Sequence, residues 1–223
     1  MRFELKKGTY KRTKKVYGVG INDVDYKIYH QIKCGDGTRK TLWVCPYYST
    51  WCSMLERCYG RRSKDKRPTY AGVTICDEWL TFSNFKAWME QQDWEGKYLD
   101  KDYMSVITGK KIYSPENCKF VTRDLNNFLT ASGSKRGEYP LGVSYKKKIG
   151  KYQSLIGANG LRRYLGVFDD PFSAHKAWQM AKIELCDEWI DLLDDENLIC
   201  AMERIRGVLK EDWSLGRITE KLV

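Results

Sequence analysis

Tyr113-Ser-Pro-Glu-Asn117-Cys118-Lys-Phe-Val-Thr122 is the stretch on which the fold of this chain turns, read with Leu99-Asp100-Lys101-Asp102 before it and Asn126-Asn127 after it. Tyr98 to Tyr103 has strand character, Gly109 marks a loop, Ile112 to Val121 predicts a second strand, and Thr122 to Leu129 predicts a helix with Thr122 as N-cap. Two strands and a helix in that order can bring an aspartate from the first strand, an asparagine from the hairpin and an asparagine from the helix to one divalent cation. Mg²⁺ prefers oxygen and keeps several waters, so two protein oxygens and a phosphate are enough to hold it. Taken singly, Asp100 reads as a strand-end ion-pair partner and Asn117 as a turn asparagine. Their joint order is the signal.

Working outward, a helix is expected from Pro46, where Trp51, Met54, Leu55 and Cys58 recur at intervals of three and four and Arg57, Arg61 and Arg62 suit its C-terminal dipole. A second runs from Thr81 to Gln91 with Phe82, Phe85, Trp88 and Met89 as its apolar stripe and Thr81 or Ser83 as cap. Tyr17-Gly-Val-Gly-Ile-Asn-Asp lacks the strand and helix of a phosphate loop and reads as turns and short strands. Residues 131–138 are small and polar, a linker. Beyond them, Gly142 to Phe168 predicts three short strands, broken at Ile149-Gly150 and at Asn159-Gly160, the second a strong hairpin signal. A helix from Pro171 to Trp189 follows, with Ala174, Ala177, Trp178 and Ala181 forming a narrow face to lie on a sheet, and the tail to Val223 has helical character. The expected fold class is α+β.

At 223 residues the chain is long enough for two small domains with their own cores. Its net charge of +10 makes attraction to phosphate available but selects no partner by itself. The basic residues gather in the N-terminal arm (Lys6, Lys7, Lys11, Arg12, Lys14, Lys15), between Arg57 and Arg67, and between Lys146 and Lys151, while Asp187 to Glu196 is acidic. No apolar run reaches membrane-spanning length and the start lacks a secretory signal, so the expected location is the cytoplasm, with no membrane partner. No motif for a small-molecule cofactor is present. Eight cysteines are too sparse for a disulfide scaffold and read as thiols or metal thiolates.

Trp51-x-x-Met-Leu-x-Arg-Cys58, Tyr70-Ala-Gly-Val-Thr-Ile-Cys76-Asp-Glu-Trp79, Leu99-Asp-Lys-Asp and Tyr113-Ser-Pro-Glu-Asn-Cys118 occur in an order that resembles the HNH-like (ββα-metal) endonuclease family common in bacteriophages. The resemblance covers roughly residues 43–129 and implies that Asp100 is the first metal ligand, Asn117 the middle asparagine of the hairpin, and Asn126 the helix residue that completes a Mg²⁺ or Mn²⁺ site. Asn127 stands in if the helix register slips. The family places a histidine beside the acidic ligand to deprotonate the attacking water; this chain has Lys101 there, suited to a phosphate contact, with Asp102 or bulk water as proton acceptor. His30 and His175, the two histidines present, read as surface or packing residues. Cys45, Cys58, Cys76 and Cys118 flank the same unit and are the candidate ligands of a structural Zn²⁺, a reading the resemblance strengthens although no Cys-x-x-Cys pair occurs; Cys34 and Cys52 are alternates.

Gly142-Val-Ser-Tyr, Gly150-Lys-Tyr, Leu165-Gly-Val-Phe and the Ala-rich helix make residues 139–185 similar to the apetala-type DNA-binding domain of plant ethylene-response factors, also found appended to phage homing nucleases. That resemblance implies a sheet laid in the major groove of double-stranded DNA, with Tyr145, Lys147, Lys151, Gln153, Arg162 and Arg163 as contact residues. The organisation expected is a basic arm with short strands (1–42), an HNH-like core (43–130), a linker (131–138), an apetala-type domain (139–189) and a helical tail (190–223). The activity expected is metal-dependent hydrolysis of phosphodiesters in double-stranded DNA; the alternative is a catalytically lapsed DNA-binding relative acting as regulator or accessory protein.

Overall fold

The computed structural model describes residues 14–60, 70, 72–129, 138–158 and 160–222. The chain is α+β: short two-stranded pairs, one three-stranded antiparallel sheet and several helices. It divides into two compact units, Met1–Glu95 with Lys111–Lys119, and Gly96–Lys110 with Phe120–Val223. This division cuts through the 43–130 segment rather than at the linker, and the linker itself lies almost wholly outside the described residues. So do most of the N-terminal basic arm, Arg61, Arg62 and Asn159.

In the first unit, Pro46 opens a helix, Pro46–Tyr59, in which Trp51, Met54, Leu55 and Cys58 are buried, as their spacing predicts. Trp51 packs its ring 5.4 Å from Phe82 and donates its indole N–H to the Trp79 carbonyl at 2.6 Å. The helix Phe82–Met89 follows a 3-10 turn, Asp77–Leu80. Thr81 stands at its N-cap, but the side-chain cap comes from Asp23, whose carboxylate accepts from the Ser83 N–H at 3.0 Å and from the Ser83 hydroxyl. That cap lies 60 residues away, beyond the reach of local pattern. Thr74–Ile75 pairs in parallel with Ile112–Tyr113, and Tyr29–Lys33 forms an antiparallel hairpin with Arg39–Val44. The Gly-rich segment forms isolated bridges, Val16 to Gly20 and Ile21 to Thr81.

The second unit starts with strand Tyr98–Asp100, not the longer strand to Tyr103 that the sequence suggests. One Asp100 carboxylate oxygen accepts from the backbone N–H of Asp102 at 2.9 Å and of Tyr103 at 3.1 Å, turning the chain into a helix, Asp102–Thr108. Gly109, at φ 71°, ends it in a left-handed conformation that glycine adopts without strain. Tyr98–Asp100 pairs with Lys119–Val121, so the long second strand expected over 112–121 is two short ones with a turn between. Helix Arg123–Leu129 comes next; Thr122 caps it, its hydroxyl accepting from the Leu125 N–H at 3.3 Å.

Strands Val143–Lys146, Lys151–Ala158 and Leu161–Phe168 form the three-stranded sheet, as expected, and Pro171–Leu192 packs on it. Gly142 makes the close approach possible: it sits at φ +79°, and a Cβ there would fall 2.0 Å from the Trp178 ring. The Pro171–Leu192 helix is buried on more than the predicted face. His175 and Gln179 bond the C-terminal tail, through Thr219 N to His175 Nε2 at 3.0 Å and Gln179 Nε2 to the Thr219 hydroxyl at 2.9 Å. Helix Glu196–Ser214 covers this side, and its Arg204 guanidinium donates to the Ile107 carbonyl at 2.9 Å. One apolar core therefore unites Leu125, Phe128 and Leu129 of the short helix with Ile156 of the sheet, Trp178 and Leu185 of the long helix, and Met202 and Ile205 of the last. No described helix is long and apolar enough to cross a membrane.

Candidate metal site and nucleic-acid face

The strand pair and helix of the second unit carry Asp100, Lys101 and Asn126. Asp100 is 3% exposed. Burial, and next the negative charge of Asp102, push its carboxyl up to about 6, against the smaller opposing pull of the two backbone N–H groups and Lys101. Lys101 is buried beside it and its ammonium forms an ion pair with Asp102. Asn126 is half-buried on the helix whose Leu125, Phe128 and Leu129 enter the core, whereas Asn127 is exposed. Asn117 belongs to the first unit, where its amide donates to the Ser114 hydroxyl at 2.7 Å in the turn after Tyr113.

The donor set, a carboxylate and an amide oxygen, fits a hard cation such as Mg²⁺. The thiols differ. Cys45, Cys58, Cys76 and Cys118 share the first unit, but among the described residues no group of three or more His, Cys, Asp or Glu side chains is gathered as a metal site. Burial pushes the Cys45 and Cys76 thiols up. His175 is fully buried: the amide of Thr219 donates to Nε2, which leaves Nδ1–H to donate to the Leu141 carbonyl at 2.9 Å. It packs and does not ligate; His30 is exposed on the hairpin.

The sheet sorts its candidates by face. Side chains alternate along a strand and directly opposed residues share a face. Ser154 and Ile156, both buried, face the helix. Ile156 opposes Arg163, so Arg163 points the same way, and its guanidinium reaches Glu184 on the helix at 3.4 Å. Tyr145 opposes Tyr152 and joins a tyrosine cluster with Tyr139 and Tyr152 on that side. The outward face instead carries Lys146 opposite Lys151, Ser144 opposite Gln153 opposite Val167, Tyr164 opposite Leu155, and Arg162 opposite Gly157. Lys147 lies in the exposed turn. Of the six expected contact residues, Lys151, Gln153 and Arg162 are brought together there; Lys146 and Tyr164 are additions. Gly157 stands opposite Arg162 and Leu155 opposite Tyr164, but the register shifts between Ser154 and Leu155, so the pairing of Gln153 with Val167 does not follow from the hairpin end alone.

Comparison with protein-family models, with curated proteins and with solved structures finds no match to this chain. Its site therefore has to be read from its own geometry.

Proposed function

We propose that this chain binds double-stranded DNA and hydrolyses its phosphodiester bonds as a divalent-metal-dependent endonuclease of the HNH type. The observation that supports this most is the pairing of Tyr98–Asp100 with Lys119–Val121, which runs straight into the helix of Asn126, so that Asp100 and Asn126 belong to one strand–strand–helix element. Asp100 and Asn126 would hold Mg²⁺ or Mn²⁺. The bound ion supplies Lewis-acid stabilisation of charge on the phosphate and the leaving 3′ oxygen, worth several kcal/mol. Asp102, ion-paired with Lys101, or bulk water would take the proton of the attacking water. Lys146, Lys151 and Arg162 on the outward sheet face hold the duplex, lysine on phosphate and arginine bidentate on guanine. Incubation of the pure protein with supercoiled plasmid and its own genomic DNA, with Mg²⁺ or Mn²⁺, tests this: nicks that vanish in Asp100→Ala and Asn126→Ala while duplex binding persists support it. Binding without cleavage under every divalent metal overturns the enzymatic part.

A second reading, a DNA-binding regulator without turnover, draws on a specific observation. Asp100 already caps a helix, and Lys101, tied to Asp102, occupies the position of a histidine base. Lys101→His separates the two. A gain of cleavage favours the lapsed relative, and a loss favours a working lysine.

A further inference from the structure

The hairpin Tyr29–Lys33 and Arg39–Val44 is open on both faces: all five residues of its first strand are exposed, and five of six in its second. Its feet are fixed. Ile28 and Cys45 are both buried, and the Cys45 N–H donates to the Ile28 carbonyl at 2.8 Å. Its tip is ordered by Asp36, which accepts from the Thr38 N–H at 2.9 Å and hydroxyl at 2.6 Å. A bare two-stranded hairpin is marginally stable in water. This one also opposes Lys33 directly to Arg39, with Lys40 next in line opposite Ile32. Like charges directly opposite are destabilising, and among the described residues no carboxylate pairs with Lys33, Arg39 or Lys40. Three cations on an anchored, two-sided ribbon match a polyanion.

The dimensions fit one. Strands of five and six residues give a ribbon about 17–20 Å long with strands about 4.8 Å apart, and the major groove, about 12 Å wide and 8.5 Å deep, admits a two-stranded β-ribbon. Exposed Ile32 beside the cations, and Tyr29, Leu42 and Val44 toward the feet of the ribbon, supply apolar surface for base edges and thymine methyls. We propose that the ribbon is a second double-stranded-DNA contact, separate from the three-stranded sheet, with Lys33, Arg39 and Lys40 on phosphates. It rests on the reading of the chain as a DNA-binding protein.

The test measures binding of the full chain to a labelled mixed-sequence duplex across a salt series. The triple variant Lys33→Gln, Arg39→Gln, Lys40→Gln is expected to weaken binding and to lower the salt slope by about 2–3, each phosphate contact contributing about 0.9. A variant with Lys33→Arg and Lys40→Arg keeps the charge and is expected to bind as wild type; its failure would assign the loss to structure and overturn the ribbon's role. Duplex is also expected to shield Lys33 and Lys40 from acetylation in the wild type, and unshielded lysines overturn the proposal. If the triple variant matches wild type while Arg162→Ala weakens binding, the ribbon proposal falls and the DNA reading stands. If the wild type binds no duplex at low salt, both fall. Competition by polyglutamate as effective as by duplex would name an acidic protein surface instead, and overturn the assignment to DNA.

Discussion

The second unit holds two sites of opposite construction. Around Asp100 the polar groups are buried and already bonded to one another: a carboxylate on two backbone amides, a lysine on the neighbouring aspartate. On the outward sheet face, Arg162 and Tyr164 are exposed, and Lys146 stands opposite Lys151. Groups held in place can be exact in geometry but must exchange a bond or a proton to take a ligand. Exposed cations meet phosphate at once and with less precision. Binding at such a face would be shared among several residues, whereas the proposed chemistry would depend on one carboxylate. A shared apolar core, from Phe128 through Ile156 to Met202, fixes the two sites within one body.

Four substitutions sharpen or break this contrast. The largest effect belongs to Asp100→Ala, expected to lower cleavage by about a thousandfold or more, the equivalent of about 4 kcal/mol, with duplex affinity within about twofold of wild type; parallel loss of both in gel-shift and nicking assays would merge the two sites. Next is Asp100→Asn, which keeps an oxygen for the helix cap. In the folded chain the carboxyl titrates at about 6 rather than its ordinary 3.8, so ionising it opposes folding: stability falls as pH rises from about 4 to 6, and the deficit persists above. That rise corresponds to on the order of 3 kcal/mol. In chelator, Asp100→Asn is expected to unfold in denaturant later than wild type at pH 7, by up to that amount, with the gain shrinking by pH 4. A less stable variant at pH 7 would contradict the burial account. Third, Arg162→Ala is expected to cost about 1–3 kcal/mol of affinity for a preferred site, read by fluorescence anisotropy. Smallest is Arg163→Ala. Its guanidinium turns to Glu184 across a half-exposed ion pair, so affinity should change little and stability by less than about 1 kcal/mol; an affinity loss matching that of Arg162→Ala would reverse the assignment of faces.

The elements that periodicity announces were legible in the sequence: the Pro46 helix, the three strands after Gly142, the helix from Pro171 and the Thr122 cap all stand near their expected bounds. Features set by distant or buried partners were not. The cap of helix Phe82–Met89 comes from Asp23, and the helix Asp102–Thr108 stands where the sequence predicts a strand end and a loop, because Asp100 accepts from the amides of Asp102 and Tyr103. The helical tail showed no role of its own; in the structure it covers the long helix and holds helix Asp102–Thr108 through Arg204. Among site residues, the joint order of the blocks and the family resemblance proposed Asp100 and Asn126, which the structure sets on one strand–strand–helix element. Arg163 and Tyr145 entered through the resemblance to the apetala-type domain, which does not fix the face on which this chain's register sets them.

The central claim is that Asp100 and Asn126 share one divalent cation at DNA. Mn²⁺ titration followed by electron paramagnetic resonance, on the full chain bound to a duplex with uncleavable phosphorothioate linkages, tests it most directly. The account predicts one bound Mn²⁺ per chain that is lost in Asp100→Ala and weakened in Asn126→Ala. Free Mn²⁺ signal throughout the titration, or a bound ion indifferent to both substitutions, would contradict it.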